Sequence, residues 1–120
     1  MLQVKSLDSV KILSVNYTAL IDNIKNACNK IRVENCQVQK TLLFGSFQNR
    51  NYTPDSDIDI LVVVAHDNHD FLERRDKFIE YFKDIPFDVN VIVYTENEIN
   101  KMLEKGNIFL KNILAEAREL

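Results

Sequence analysis

The sequence predicts an α/β or α+β domain with few strands. Two observations predict it: segments with helical spacing of apolar residues alternate with short runs rich in β-branched residues, and the composition is that of a globular protein. The chain has 120 residues, of which 46% are hydrophobic and 28% are charged. This length corresponds to one domain, so we expect a single domain over residues 1–120. Its core is expected at about 20–120, and residues 1–17 form an N-terminal extension of uncertain conformation.

The first half of the pattern is a helix, two strands and a second helix. The first helix is predicted around Leu20–Ile31, whose apolar residues recur every three or four positions. Strands are predicted at Val38–Phe44 and at Ile58–Val64, and the second is apolar enough to be covered on both faces. The next helix has its stripe at Phe71, Leu72, Arg75, Phe78, Ile79 and Phe82.

The second half is a strand followed by two helices. The valine-rich segment Asp88–Tyr94 predicts a third strand. Thr95 and Glu98 have the spacing of a capping box, and Gly106 is placed to end the helix that they begin. The last helix is predicted from its apolar residues Leu110, Ile113, Leu114 and Ala117, and the first three of them serve either the core or a docking surface.

Charge and hydropathy exclude several classes of protein. The net charge is −3, from 15 Lys and Arg against 18 Asp and Glu. A protein that grips a long nucleic acid by its phosphates normally has a basic surface, so we expect no such partner, whereas a small phosphate ligand with a metal ion is allowed. No apolar run reaches the roughly 18 residues of a membrane span, and the N-terminus lacks a signal-peptide pattern. Cys28 and Cys36 do not form a secreted disulfide scaffold, so the cytoplasm is the expected location.

A Gly-Ser pair stands where the first strand is predicted to end. Gly45 is one of two glycines in the chain, and Ser46 is followed by a polar segment at 48–51. Glycine lets the backbone approach a ligand closely, and a serine at the start of a helical turn adds donors that suit a phosphate. The alternative is a simple strand-ending turn with Ser46 as a helix cap.

Acidic residues stand at the start of the next two strands. Asp57 and Asp59 are two apart, so their side chains point to the same face of the predicted strand. Two like charges before a buried strand repel each other unless a cation neutralises them, and Mg²⁺ prefers one or two carboxylates together with substrate phosphates. Asp88 joins them if the two strands are neighbours, and three carboxylates can hold two metal ions. The alternative for Asp57 and Asp59 is that they flank a turn and stay in water. The alternative for Asp88 is that it is simply an aspartate at the edge of a strand.

His66 and His69 lie in a further segment rich in ligand-type residues. A His-x-x-His pair can bind zinc. A polar turn between strand and helix is the favoured interpretation, with Asp67 or Asn68 as the helix cap.

The Gly-Ser pair, ten further residues and Asp57-Ile58-Asp59 resemble the signature of the polymerase-beta-like nucleotidyltransferases. Segments 43–46 and 55–62 are most similar to the minimal members of that family, the MNT domain proteins. The resemblance covers about Leu20 to Leu120. It implies a small mixed sheet flanked by helices, and an enzyme that transfers AMP from ATP and releases pyrophosphate.

The resemblance also implies the roles of individual residues. By position, Gly45 and Ser46 would bind the phosphates of the nucleotide. Asp57, Asp59 and Asp88 would hold two Mg²⁺ ions and carry the catalysis.

One departure from the family concerns the segment after the serine. Minimal members usually carry an Arg-Gly pair there, where this chain has Asn49-Arg50. Arg50 would reach a phosphate from a shifted position, without the tight glycine turn. Two alternatives are an inactive relative that only binds its partner, and a small-molecule transferase of the aminoglycoside-modifying type that is completed by a second subunit.

The segment that follows the motifs bears on the acceptor. About 25 residues follow Tyr94, too few for an acceptor-binding domain of usual size. Minimal nucleotidyltransferases typically pair with a helical HEPN protein in toxin–antitoxin modules. The resemblance therefore implies an antitoxin in a homo- or hetero-oligomer, which adds AMP to a tyrosine of a HEPN partner.

Overall fold

The computed structural model describes residues 17–53 and 55–120. In that part of the chain one mixed sheet has the strand order β3-β2-β1-β4. β2 runs parallel to β3, whereas β1 runs antiparallel to both β2 and β4. The expected mixed sheet is confirmed, and the short β4 is an addition that the sequence did not predict. The strands are β1 Val38–Phe44, β2 Ile58–Val64, β3 Val89–Thr95 and β4 Arg118–Glu119.

Five helices of the described residues flank the sheet: α1 Tyr17–Glu34, α2 Ser46–Asn49, α3 Phe71–Ile79, α4 Glu96–Glu104 and α5 Ile108–Glu116. The helix predicted through Phe82 ends earlier and continues as a 3-10 turn, Glu80–Phe82. Of the predicted N-terminal extension, Tyr17 is the buried first residue of α1, and 1–16 lie outside the described residues. No helix within 17–53 and 55–120 is long and apolar enough to span a membrane.

Each face of the sheet buries its own set of side chains. Because side chains alternate along a strand, Ile58 and Ile60 pack with α1 and α3, whereas Leu61 packs with α4 and α5. Leu110 and Ile113 of α5 are buried in the second cluster, so these two docking candidates belong to the core. Asp57 and Asp59 alternate in phase with Leu61 and therefore lie on the α4–α5 face, where β2 begins.

The helix caps show which local signals the fold uses. Thr95 and Glu98 form the predicted capping box, since the Glu98 N–H donates to Thr95 Oγ1 at 3.1 Å and the Thr95 N–H donates to Glu98 Oε1 at 2.8 Å. The cap of α3 is Asp70, which accepts from the Glu73 N–H at 2.9 Å. The prediction of Asp67 or Asn68 as that cap is wrong, because the helix begins at Phe71 and its cap must directly precede it.

Candidate active site

β1 ends at a glycine in a left-handed conformation. Gly45 has φ +81° and ψ −156°, a combination that residues with a side chain rarely adopt. A Cβ atom at this position would lie 2.3 Å from Asp59 Oδ2. Glycine is therefore required at this position for two reasons, the backbone angle and the nearby carboxylate.

An aromatic cluster holds the turn that carries Ser46. Ser46 is the first residue of α2, and its carbonyl accepts from the Asn51 N–H at 3.1 Å. The next residue, Phe47, is fully buried and stacks on Tyr52 with ring centroids 4.6 Å apart. The Tyr17 hydroxyl donates to the Phe47 carbonyl at 2.7 Å. Burial of this cluster fixes the position of Ser46 independently of any ligand.

Arg50 ends α2 in the left-handed region, with φ +60°. This conformation costs a residue with a side chain about 1–2 kcal/mol. The guanidinium carbon lies 4.4 Å from the centroid of the Tyr17 ring, and such a cation–π contact offsets about 0.5–1 kcal/mol at an exposed site. The glycine of the minimal members is absent from this segment, and Arg50 itself adopts the left-handed conformation. The proposed contact of Arg50 with a phosphate stays a prediction.

Asp57 and Asp59 lie where β2 begins, and they differ in exposure. Asp57 is exposed, whereas Asp59 is half-buried. Burial raises the pKa of Asp59 above its usual value, the hydrogen bond from Asn90 lowers it in part, and the charge of Asp57 raises it further. The ionised form of Asp59 is therefore less favourable in the protein than in water. A cation between the two carboxylates would remove that penalty.

Asn90 is the residue of β3 that joins the two acids. Its Nδ2 donates to Asp57 Oδ2 at 3.2 Å and to Asp59 Oδ1 at 3.2 Å. The parallel register of β2 and β3 pairs Asp59 directly with Asn90. Sequence reasoning missed Asn90, although it lies two residues after Asp88 and so shares its face of the strand.

Asp88 lies one position before β3, outside the carboxylate pair. It is exposed, and its carbonyl accepts from the Ile58 N–H at 2.8 Å. Within 17–53 and 55–120, no three His, Cys, Asp or Glu side chains are grouped closely enough to hold a metal ion. The predicted group of three carboxylates is therefore not formed, because the register places Asn90, and not Asp88, beside Asp59.

The histidine segment forms the turn between β2 and α3. His69 Nδ1 lies 2.7 Å from Asp67 Oδ1, and the two residues belong to the turn before α3. Within the described ranges, neither His66 nor His69 belongs to a group of three or more His, Cys, Asp or Glu side chains that could hold a metal ion. The turn interpretation of this segment is confirmed.

A groove of about 780 Å³ runs between α3 and the open edge of β3. The consecutive residues 88–92 all line it, which means that the edge of the strand, and not one of its faces, forms the wall. Asp57 belongs to the same wall, and α3 contributes Phe71, Leu72 and Arg75. The groove therefore connects Asp57, one member of the carboxylate pair, with a partly apolar surface.

Two carboxylates fit a divalent cation in charge and in chemistry. Mg²⁺ is typically held by one or two carboxylates together with substrate phosphates. Asp57 and Asp59 meet that requirement, whereas Asn90 directs its N–H donors at them. The residues therefore fit one cation that is shared with a bound phosphate group. They fit the predicted arrangement, two ions held by three carboxylates, less well.

The known proteins that resemble this chain include a protein family, a curated relative and a solved structure. Residues 21–117 match the family model described as a nucleotidyltransferase domain. A relative from Methanocaldococcus jannaschii, provisionally named a protein adenylyltransferase, is 33% identical over 84 residues, which are 70% of this chain and 79% of that protein. A crystal structure from Sulfolobus solfataricus, provisionally described as a nucleotidyltransferase, superposes with a TM-score of 0.58 at 20% identity, covering 82% of this chain and 84% of that one. This last likeness concerns the fold alone.

Proposed function

The chain belongs to the nucleotidyltransferase family, and from that premise we propose that it transfers AMP from ATP to a hydroxyl group and releases pyrophosphate. The position of the two acids carries the proposal. Asp57 and Asp59 lie on one face of β2, and Asp59 packs against the backbone of Gly45, directly before Ser46. Phosphoryl transfer depends mostly on positioning and charge neutralisation, which this combination can supply.

Each residue has a distinct role in the proposed reaction. Asp57 and Asp59 hold Mg²⁺, which supplies the positive charge that offsets the triphosphate. The Ser46 hydroxyl donates to a phosphate oxygen. The acceptor oxygen attacks the α-phosphorus, the bond from that phosphorus to the oxygen shared with the β-phosphate breaks, and pyrophosphate leaves. The Asp88 carboxylate takes the proton of the acceptor hydroxyl.

The acceptor is proposed to enter through the groove between α3 and β3. Asp57 and Asp88 both line this groove, so an acceptor there lies beside the carboxylates. Phe71 and Leu72 line the same groove and are 44% and 62% exposed, which suits contact with an apolar or aromatic group.

For the acceptor itself we propose a tyrosine of a helical HEPN-type partner, with this chain acting as its antitoxin. The resemblance to minimal nucleotidyltransferases supports this choice, and so does the name of the archaeal relative, which specifies a protein as the acceptor. Co-expression with the product of the neighbouring gene, followed by intact mass spectrometry, tests it. A mass increase of one or more AMP units supports the proposal, and an unmodified neighbour that also fails to co-purify contradicts it.

The reaction is tested by Mg²⁺-dependent pyrophosphate release from ATP in the presence of the co-expressed partner. Asp57→Asn and Asp59→Asn keep the size of the side chain and remove its charge, and each should abolish most of the release. Asp22→Asn is the matched control, since Asp22 is an exposed residue of α1. Full activity in both site variants would remove the two acids from the mechanism.

Asn90 favours a second candidate function, a binding partner without turnover. A site with an amide beside its two carboxylates has less charge to hold metal ions than a site with three carboxylates. Calorimetric titration with Mg·ATP separates the candidates when it is combined with the pyrophosphate assay. Heat of binding without pyrophosphate release would show that the chain binds nucleotide but does not turn it over. Release of pyrophosphate would show that the chain is an enzyme.

A further inference from the structure

Asn90 occupies the space between the two carboxylates that the proposed reaction requires for its cation. Its amide nitrogen is 3.2 Å from an oxygen of Asp57 and 3.2 Å from an oxygen of Asp59. One neutral donor group therefore bridges two negatively charged acceptors. A divalent cation that binds both acids must compete with this bridge.

The pairing of β2 with β3 fixes the position of Asn90 relative to the two acids. β2 and β3 are paired in parallel register along seven consecutive positions, from Ile58 and Val89 to Val64 and Thr95. The neighbouring residue Val91 is buried in the core, so a shift of β3 by one residue would expose it and bury Asn90 in its place. The bridge is therefore built into the sheet.

An amide and a carboxylate at this position have opposite effects on the site. A third carboxylate would add a negative charge and would depend on cations for its stability. The amide adds no charge and gives each acid a hydrogen-bond donor, so both carboxylates have a hydrogen-bond partner without a metal. The change from one to the other involves the same number of heavy atoms.

We propose that Asn90 is a neutral substitute for the cation, which lowers the metal affinity of the Asp57–Asp59 pair in the free protein. One consequence of this inference rests on the proposed function: Mg²⁺ binds together with the nucleotide, whose phosphates supply the missing ligands. The metal affinity itself is independent of turnover.

The experiment is a Mn²⁺ titration of the whole chain without nucleotide, followed by electron paramagnetic resonance of the free ion. Asn90→Asp should bind Mn²⁺ about 10–100-fold more tightly than the wild type, the range typical of changes around metal ligands. Asn90→Ala, which removes the competing donor, should tighten binding by up to about tenfold, the contribution of a net hydrogen bond. Asn100→Asp makes the same change at an exposed site of α4 and should leave the affinity unchanged.

Thermal unfolding supplies the second readout. In EDTA, Asn90→Asp should melt below the wild type, and Mn²⁺ should raise its Tm by more than it raises that of the wild type or of Asn100→Asp. Weaker Mn²⁺ binding by Asn90→Ala would overturn the proposal, because it would identify the amide oxygen as a ligand. An unchanged affinity in Asn90→Asp would overturn it as well. The predicted Mn²⁺ pattern in a protein that releases no pyrophosphate would refute the proposed reaction and leave the role of Asn90 intact.

Discussion

The two glycines of the described residues share a positive φ and differ in what surrounds them. Gly45 and Gly106 have φ values of +81° and +76°, and each lies at the end of a regular element. A Cβ atom at Gly45 would lie 2.3 Å from an Asp59 oxygen, whereas one at Gly106 would meet nothing within 4 Å. Glycine at 106 thus serves the backbone alone, and glycine at 45 also makes room for a carboxylate of the site.

The polar groups beside the two turns show the same contrast. The Gly106 N–H donates to the Leu103 carbonyl at 3.0 Å, and the Asn107 side chain caps the next helix by accepting from Leu110 at 2.9 Å. At the other turn, burial and a like charge raise the pKa of Asp59. The backbone groups of both turns are hydrogen-bonded, but only the turn at Gly45 lies beside a carboxylate in an unfavourable electrostatic environment. Such unfavourable sites are typical of function.

Gly45→Ala should produce the largest effect of any change in these turns. The left-handed backbone alone costs alanine about 1–2 kcal/mol, and Asp59 must also move away from the new methyl group. A displacement of about 1 Å in a catalytic group can lower a rate about 100-fold, so we expect a loss of that size in pyrophosphate release. Urea unfolding and the pyrophosphate assay measure the two effects. A variant that retains full activity would show that the contact between Gly45 and Asp59 is not needed.

Asp59→Asn should stabilise the protein while it removes the activity. A carboxyl whose pKa is raised on folding binds its proton more tightly in the folded state, so its ionised form destabilises the fold at neutral pH. That penalty is relieved as the pH falls through the raised pKa of Asp59. In EDTA, the Tm of Asp59→Asn should therefore exceed that of the wild type at pH 7.5, and the difference should shrink on acidification. A variant that melts below the wild type at pH 7.5 would contradict this assignment.

Gly106→Ala should have a smaller effect that is confined to stability. The position offers open space, so only the backbone strain of about 1–2 kcal/mol applies. Pyrophosphate release per folded molecule should equal that of the wild type. Equal losses of activity in Gly106→Ala and Gly45→Ala would remove the distinction between the two turns.

Arg50→Gly should change the stability least. Relief of the left-handed strain is offset by the lost contact with Tyr17 and by the greater freedom of glycine in the unfolded chain, so the net change should be within about 1 kcal/mol. If Arg50 binds a phosphate, the KM for ATP rises in Arg50→Gly and equally in Arg50→Asn, which tolerates the same backbone. An unchanged KM in both variants would exclude Arg50 from nucleotide binding.

Local signals allowed much of the fold to be predicted. β1 and β2 have the predicted bounds, and the capping box at Thr95 and the turn at Gly106 are confirmed. These features depend on residues close in sequence. β4 was missed because two residues form a strand only when the end of the chain returns to β1, where the Leu120 N–H donates to the Thr41 carbonyl at 2.9 Å and Arg32 donates to both residues.

The candidate site also combines features that depend on neighbouring residues with one that depends on long-range pairing. The position of Asp57 and Asp59 on one face follows from the alternation of a strand, and the need for glycine at 45 follows from a turn. The partner of the two acids depends on the register between β2 and β3, which is a long-range property. The sequence therefore indicated Asp88, whereas the paired strands place Asn90 between the acids.

The central claim is that the acids beside Gly45 serve nucleotidyl transfer. ATP labelled on the α-phosphate or on the γ-phosphate tests this claim most directly. The purified chain and its co-expressed partner are incubated with each labelled ATP and Mg²⁺, and the label is followed into protein, pyrophosphate and inorganic phosphate. We expect the α label to enter the acceptor and the γ label to enter pyrophosphate, and we expect Asp59→Asn to abolish both. Transfer of the γ label to the acceptor, or α-label transfer that survives in Asp59→Asn, would contradict the claim.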